Sequence, residues 1–245
     1  RASTVTVERM GNGLGLSNDG RPESGFRGTD PGFGAEVGLL GSAAVLFPER
    51  TGRAMAIGLG GGHTTRLLLA GGFEQVDVVE LEAAVVDAAR MMHQARRVPF
   101  PLDDPRARLV IDDARNRLAL APAGAYDAIV SQPSHPWLAG SSALYTREFF
   151  AEARAALTDG GVLVVWINLF RIHLRQIRAV VRTLTDELTN VSGFIAEGTS
   201  LVLVASARPH RFDARLDARL ARFSDTLRPL HLGSRLDLLR TMELD

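Results

Sequence analysis

The chain has 245 residues, 46% apolar and 23% charged, with a formal net charge of zero, the profile of a globular protein without a nucleic-acid footprint. It contains no cysteine and no lysine, all 28 basic residues being arginine. Disulfides, thiolate nucleophiles, Cys-based metal sites, a Walker-type phosphate loop and a Schiff-base lysine are thereby excluded. The apolar runs are shorter than the ~20 residues of a membrane span, and no signal-peptide pattern opens the chain. The first residue is Arg1, so a piece of a longer protein is expected. His63, His93, His135, His173, His210 and His231 show neither H-x3-H nor HExxH spacing, and no metal is expected.

Residues 1–36 differ from the rest. "STVTVERM" alternates like a strand and "GLGLSNDGRPE" carries a second one beside an Asn-Asp-Gly turn signal, so a small β-hairpin region is expected. The Gly-rich connector "GFRGTDPGFG" leads to an apolar helix over 36–47. Residues 37–245 read as one Rossmann-like nucleoside-binding domain.

From residue 53 strands and helices alternate. "RAMAIGLG" is a strand, "HTTRLLLA" a helix, "QVDVVEL" a strand and "EAAVVDAARMMHQA" a helix. Then follow "ARLVI" as strand, "DARNRLAL" as helix, "YDAIVS" as strand, "YTREFFAEARAAL" as helix and "GVLVVWI" as strand. Continuous Val/Ile/Leu runs separated by helices predict a mainly parallel, doubly wound α/β sheet covered on both faces. "LRQIRAVVRTLTDEL" predicts a further helix and "SGFIAEGTSLVLVASA" a strand pair. Residues 212–223 place Phe212, Leu216, Leu220 and Phe223 at helical spacing, with Arg215, Arg219 and Arg222 on a solvated basic face.

Three strand ends carry chemistry. In "AIGLGGGHTT" Gly58, Gly60, Gly61 and Gly62 occupy a strand-to-helix turn, where a ligand approaches backbone without meeting a Cβ and helix-start amides face it. His63 replaces the last glycine of a dinucleotide fingerprint, leaving the G-x-G-x-G loop of S-adenosylmethionine-type sites. Glu80, followed by Leu81, ends the next strand and is placed to accept ribose hydroxyls. Asp112, Asp113 and Ala114 close the third strand; a carboxylate there can accept the adenine amine, while Asp113 is equally suited to cap the following helix. Ligands of open α/β sheets bind at the carboxyl ends of strands, so these signals converge on one crevice.

The fourth strand ends at "YDAIVSQPSHPW", which overhangs that crevice. With "IGLGGGH", "VVELE", "VIDDARNRL" and "LYTREFF", this stretch resembles the spermidine/spermine synthase family, the polyamine aminopropyltransferases. The resemblance spans about residues 1–206 and is strongest to a divergent branch often attached to a membrane-embedded segment. It implies a fold of the S-adenosylmethionine-dependent methyltransferase type, a site for S-adenosylmethionine or its decarboxylated form, a small amine acceptor and a homodimer. Either a cytoplasmic protein or the soluble domain of a membrane-attached chain is implied.

Departures accompany the match. The family's strand-four loop reads D-S-S-D-P, its first Asp helping to deprotonate the attacking amine; Gln132 holds that place and His135 that of the second Asp. The acid that holds the donor's aminopropyl ammonium in the family's glycine loop corresponds to Gly61, and "GFGAEVGLLG" offers no clear counterpart of its Tyr-Gln pair. Gln132 cannot titrate, whereas His135, with an ordinary pKa of ~6.5, suits a base. Gln132 and His135 are therefore the candidate catalytic positions. Trp137 and Tyr145 are candidate substrate contacts; Trp137 is equally suited to fill a surface groove, and Tyr145 to pack. A spermidine synthase-like transferase is the first reading. A small-molecule methyltransferase and a non-catalytic nucleoside-binding module are the alternatives.

Overall fold

The computed structural model describes residues 4–26, 34–133, 140–170, 172–196 and 198–223, with Ser234 and Asp237. The N-terminal region holds three antiparallel strands, β1 (Val5–Met10), β2 (Gly13–Asn18) and β3 (Arg21–Phe26), in that order. The expected hairpin is thus a three-stranded sheet. β3 carries Pro22 and Gly25 and pairs with a register shift at Leu16/Ser17, which erases the alternation that marks a strand in sequence.

After α1 (Ala35–Leu46) come β4 (Arg53–Ile57), α2 (His63–Ala70), β5 (Gln75–Glu80), α3 (Ala83–Arg96) and β6 (Ala107–Ile111). Then follow α4 (Ala114–Ala119), β7 (Tyr126–Ser131), α5 (Arg147–Ala156), β8 (Leu157–Asn168) and α6 (Leu174–Glu187). β9 (Asn190–Ala196), β10 (Ser200–Ser206) and α7 (Ala214–Arg222) end the described fold. The seven-stranded sheet has the order β6-β5-β4-β7-β8-β10-β9. β6, β5, β4, β7 and β8 are parallel, and β10 runs antiparallel to both of its neighbours. The predicted doubly wound, mainly parallel sheet is present. Its order reverses between β4 and β7, which opens a crevice at their carboxyl ends.

Alternation within β4 explains the two cores. Ala54 and Ala56 pack with α1, α3 and the N-terminal sheet, where Leu16 and Phe26 join the same apolar cluster. Met55 and Ile57 pack on the other face with Phe149, Phe150 and Leu184 of α5 and α6. Both faces are covered, as continuous apolar strands require. Asp77, fully buried inside β5, accepts from Arg53 Nη2 at 2.6 Å and from the Tyr126 hydroxyl at 2.8 Å. A buried charge needs such partners, and these pin β4, β5 and β7 together.

The basic face expected on α7 is not simply solvated. Arg219 donates to the carbonyls of Val45 (3.1 Å), Leu46 (3.0 Å) and Pro48, and Arg215 donates to Pro48 at 2.7 Å. The last carbonyls of a helix lack intrahelical partners and favour cations. Arg215 and Arg219 supply that for the end of α1. Among the described residues no helix is long and apolar enough to cross a membrane.

Candidate active site

The glycine loop begins where β4 ends. Gly58 and Gly62 have φ of +86° and +78°, a region that L side chains avoid. Gly62 is the N-cap of α2, and a Cβ there would meet Pro101 Cγ at 2.7 Å. Pro101 thus packs against the turn at Gly62 and leaves no room there for a side chain. Beneath it, the His93 ring lies within hydrogen-bond distance of two carbonyls, Gly61 at 2.9 Å and Pro99 at 2.8 Å.

Glu80 ends β5 beside this loop. Its Oε2 accepts from the Leu59 amide at 2.8 Å and its Oε1 from the Glu82 amide at 3.0 Å. Burial holds the carboxyl above the ordinary carboxylate range, while the amides of Glu82, Leu59 and Leu81 oppose that shift. Each carboxylate oxygen has a second lone pair, so Glu80 can shape the loop and still receive hydroxyls. The Leu81 side chain is 64% exposed, open to pack against a planar ring.

At the end of β6 the two acids divide their roles. Asp113 caps α4, accepting from the Arg115 amide at 2.9 Å and pairing with its guanidinium at 2.6 Å. That hydrogen-bonded guanidinium holds the Asp113 carboxyl below its usual range. Asp112 Oδ1 accepts from the Asp113 amide at 2.7 Å. Ala114, the first residue of α4, is buried.

Gln132 follows β7 directly, and its backbone carbonyl lies 3.7 Å from where a Gly58 Cβ would stand. Its Oε1 accepts from the Thr64 hydroxyl at 2.9 Å, which turns the carboxamide toward the first turn of α2. Tyr145 sits in a short 3-10 turn before α5, whose N-cap is Thr146. It is buried, and its hydroxyl donates to the Trp166 carbonyl at 2.8 Å, an arrangement that serves packing. His135 and Trp137 lie outside the described residues.

Two further residues border the loop: His63, read in sequence only as the break in the glycine fingerprint, and Ser24, for which the sequence reading offered no signal. His63 Nε2 lies 3.3 Å from the Gly25 carbonyl, and its ring sits 4.7 Å from that of Phe26. Burial, aided by the charge of Arg66, pushes its pKa down to about 4 against the Gly25 carbonyl. Ser24 places its hydroxyl against Gly61, inside the space a Cβ would take. Only a fold that brings β3 over the loop reveals either contact. Among the described residues no cluster of three or more His, Asp or Glu side chains could hold a metal ion.

The glycine loop, Glu80, Asp112, Asp113, Gln132 and Tyr145 all fall within one family region. The spermine/spermidine synthase domain model matches residues 39–196. The chain is 32% identical over 130 residues to putrescine N-methyltransferase 1 of Nicotiana tabacum, covering 53% of this chain and 34% of that protein. It is 37% identical over 129 residues to a polyamine aminopropyltransferase of Mycobacterium tuberculosis, covering 50% of this chain and 24% of that protein. The matches thus span about a third and a quarter of those relatives' lengths. In three dimensions, a spermidine synthase solved with the transition-state analogue AdoDATO superposes with a TM-score of 0.79 at 17% identity, covering all of this chain and 83% of that one. At that identity the superposition speaks for the fold alone.

Proposed function

The chain belongs to the spermine/spermidine synthase domain family, and we propose that it is a transferase moving a group from an S-adenosyl donor to a small amine. The observation that carries this reading is the convergence of three strand ends on the crevice beside β4. The glycine loop from Gly58 to Gly62 turns with positive φ at Gly58, Gly60 and Gly62, which brings backbone rather than side chains to the end of β4. Glu80 reaches it through Oε2, which accepts from the Leu59 amide, and Asp112, Asp113 and Ala114 stand at the adjoining strand end. These groups suit a nucleoside: ribose hydroxyls to Glu80, adenine to the Asp113–Ala114 turn and Leu81, and the tail over the glycines.

The donor would supply an electrophilic carbon bound to sulfonium sulfur. The amine nitrogen attacks it, the C–S bond breaks, a neutral thioether leaves, and the nitrogen's proton passes to a base. A free amine with a pKa near ~10.4 is mostly protonated at neutral pH and needs that base. Gln132 cannot serve; it would orient the amine through its carboxamide. His135, with an ordinary pKa of ~6.5, is the proposed base. Trp137 is proposed to cover the ligand's apolar part.

Gly61 carries no acid to hold a lone ammonium, which favours S-adenosylmethionine, a donor with its own carboxylate, over the decarboxylated form. The similarity to a putrescine N-methyltransferase supports methyl transfer as the second reading. Incubation with each donor and a polyamine panel, followed by mass analysis, separates the two. Methylthioadenosine among the products marks transfer of the propyl-type chain, and S-adenosylhomocysteine marks methyl transfer. Tight donor binding without turnover of any acceptor would reduce the protein to a binding module. We further propose a homodimer and a cytoplasmic setting, free or as part of a membrane-attached chain; sedimentation tests the first.

A further inference from the structure

The two donors share one nucleoside and differ only at the tail: S-adenosylmethionine ends in an ammonium and a carboxylate, its decarboxylated form in an ammonium alone. A residue that discriminates them must therefore touch the tail. With adenine and ribose held at β6 and β5, the tail crosses the glycine loop toward Gln132.

What faces the loop there is the N-terminal sheet. A Cβ on Gly60 would stand 3.8 Å from Ser24 Cβ, and one on Gly61 would overlap the Ser24 hydroxyl. His63 Nε2 lies 3.0 Å from that same Gly61 position. The contact between β3 and the loop is fastened by the His63–Gly25 pair and by the Phe26 ring, which lies 4.7 Å from His63 and 4.9 Å from His93. A side chain at 61 thus has no room unless Ser24 yields. The Ser24 hydroxyl edges this corner and can donate to a carboxylate, while His63 holds β3 to the loop through the Gly25 carbonyl.

We propose that Ser24 is a specificity-determining residue whose hydroxyl reads the donor's tail from the N-terminal sheet and favours one that bears a carboxylate. The proposal rests on the reading of the crevice as an S-adenosyl donor site. It also moves the discriminating position from the glycine loop to β3.

Calorimetry on Ser24→Asp with S-adenosylmethionine, its decarboxylated form and methylthioadenosine tests it. An introduced carboxylate repels the tail carboxylate and attracts the lone ammonium, so the affinity ratio should move about tenfold or more toward the decarboxylated donor. Methylthioadenosine, which has no such tail, should bind as before. Because the variant can fail to fold, the wild-type protein gives a second reading: the Ser24 and Gly25 amide resonances should respond to S-adenosylmethionine and not to methylthioadenosine. An unchanged ratio with methylthioadenosine binding intact overturns the proposal, as does an equal response of those amides to both ligands. Failure of methylthioadenosine to bind the wild type removes the donor-site reading itself, and this proposal with it.

Discussion

The Leu59 amide donates to Glu80 Oε2 at 2.8 Å, joining the glycine loop to the end of β5 through a buried hydrogen bond. The acid proposed to bind ribose is therefore also what holds the loop in shape. Glu80→Ala would strand the Leu59 N–H, and an unsatisfied buried donor costs ~1–3 kcal/mol. The expected result is a Tm lower by at least about 2 °C, together with a loss of methylthioadenosine affinity of about tenfold or more. Because burial raises the Glu80 pKa, that affinity in the wild type should fade on acidification earlier than an ordinary glutamate would impose. Full affinity in Glu80→Ala would move the nucleoside elsewhere.

His63 and His210 should make the fold acid-sensitive. Burial pushes both down to about 4, while in the unfolded chain each titrates near ~6.5. Between those values the unfolded state binds more protons, so the stabilisation is complete above pH ~6.5 and is lost as pH falls toward 4. Each group's share is on the order of 3 kcal/mol. Urea unfolding across that range should show the decline, and His63→Phe, which keeps a ring against Phe26, should reduce it. A slope unchanged in His63→Phe and in His210→Phe would assign the acid transition to the carboxylates instead.

Asp113 permits capping and ligand binding to be separated. Its side chain accepts from the Arg115 amide at the start of α4, and losing such a cap costs ~0.5–2 kcal/mol. Asp113→Ala should therefore lower both Tm and nucleoside affinity. Asn is an equally good cap, but its single acceptor oxygen is then spent on Arg115 and its amide N–H2 faces the adenine amine. Asp113→Asn should keep the Tm and still bind methylthioadenosine several-fold more weakly. Intact affinity in Asp113→Asn would shift the adenine contact to Asp112.

What was legible in the sequence follows from the range of the interaction. The β4–α2–β5 order, the loop glycines and Glu80 announce themselves through local patterns of hydrophobicity and glycine spacing. β3 does not, because Pro22, Ser24 and Gly25 break its period, and so its contact with Gly61 had no sequence signal. Arg215 and Arg219 read as a solvated face because side-chain charge reveals exposure only on average. Their partners, the carbonyls from Val45 to Pro48, lie some 170 residues earlier in the chain. The Thr64–Gln132 bond likewise joins the first turn of α2 to the segment after β7, whose proximity only the sheet order creates.

Gln132 offers the most direct test of the chemistry. Its Oε1 now accepts the Thr64 hydroxyl at 2.9 Å, so the position borders the first turn of α2 at the crevice mouth. Gln132→Asp puts a titratable base there, and a positioned base is worth ~10²–10⁴-fold. The same Thr64 hydroxyl would donate to the new carboxylate and lower its basicity, so adding Thr64→Val should raise the gain. The donor's lone ammonium also needs a partner. Gly61→Asp is a poor way to supply one, because the Ser24 hydroxyl already fills the space of its Cβ. The combination to make is Gln132→Asp with Ser24→Asp, and it should transfer an aminopropyl group from decarboxylated S-adenosylmethionine to a diamine at a rate within that range above the wild type, read as methylthioadenosine release. Ser24→Asp alone should tighten binding of that donor with little gain in turnover. If the double variant folds, binds the decarboxylated donor more tightly and still releases no methylthioadenosine, then a missing base and a missing counter-charge are not what separates this chain from an aminopropyltransferase. The difference then lies where the acceptor amine is held.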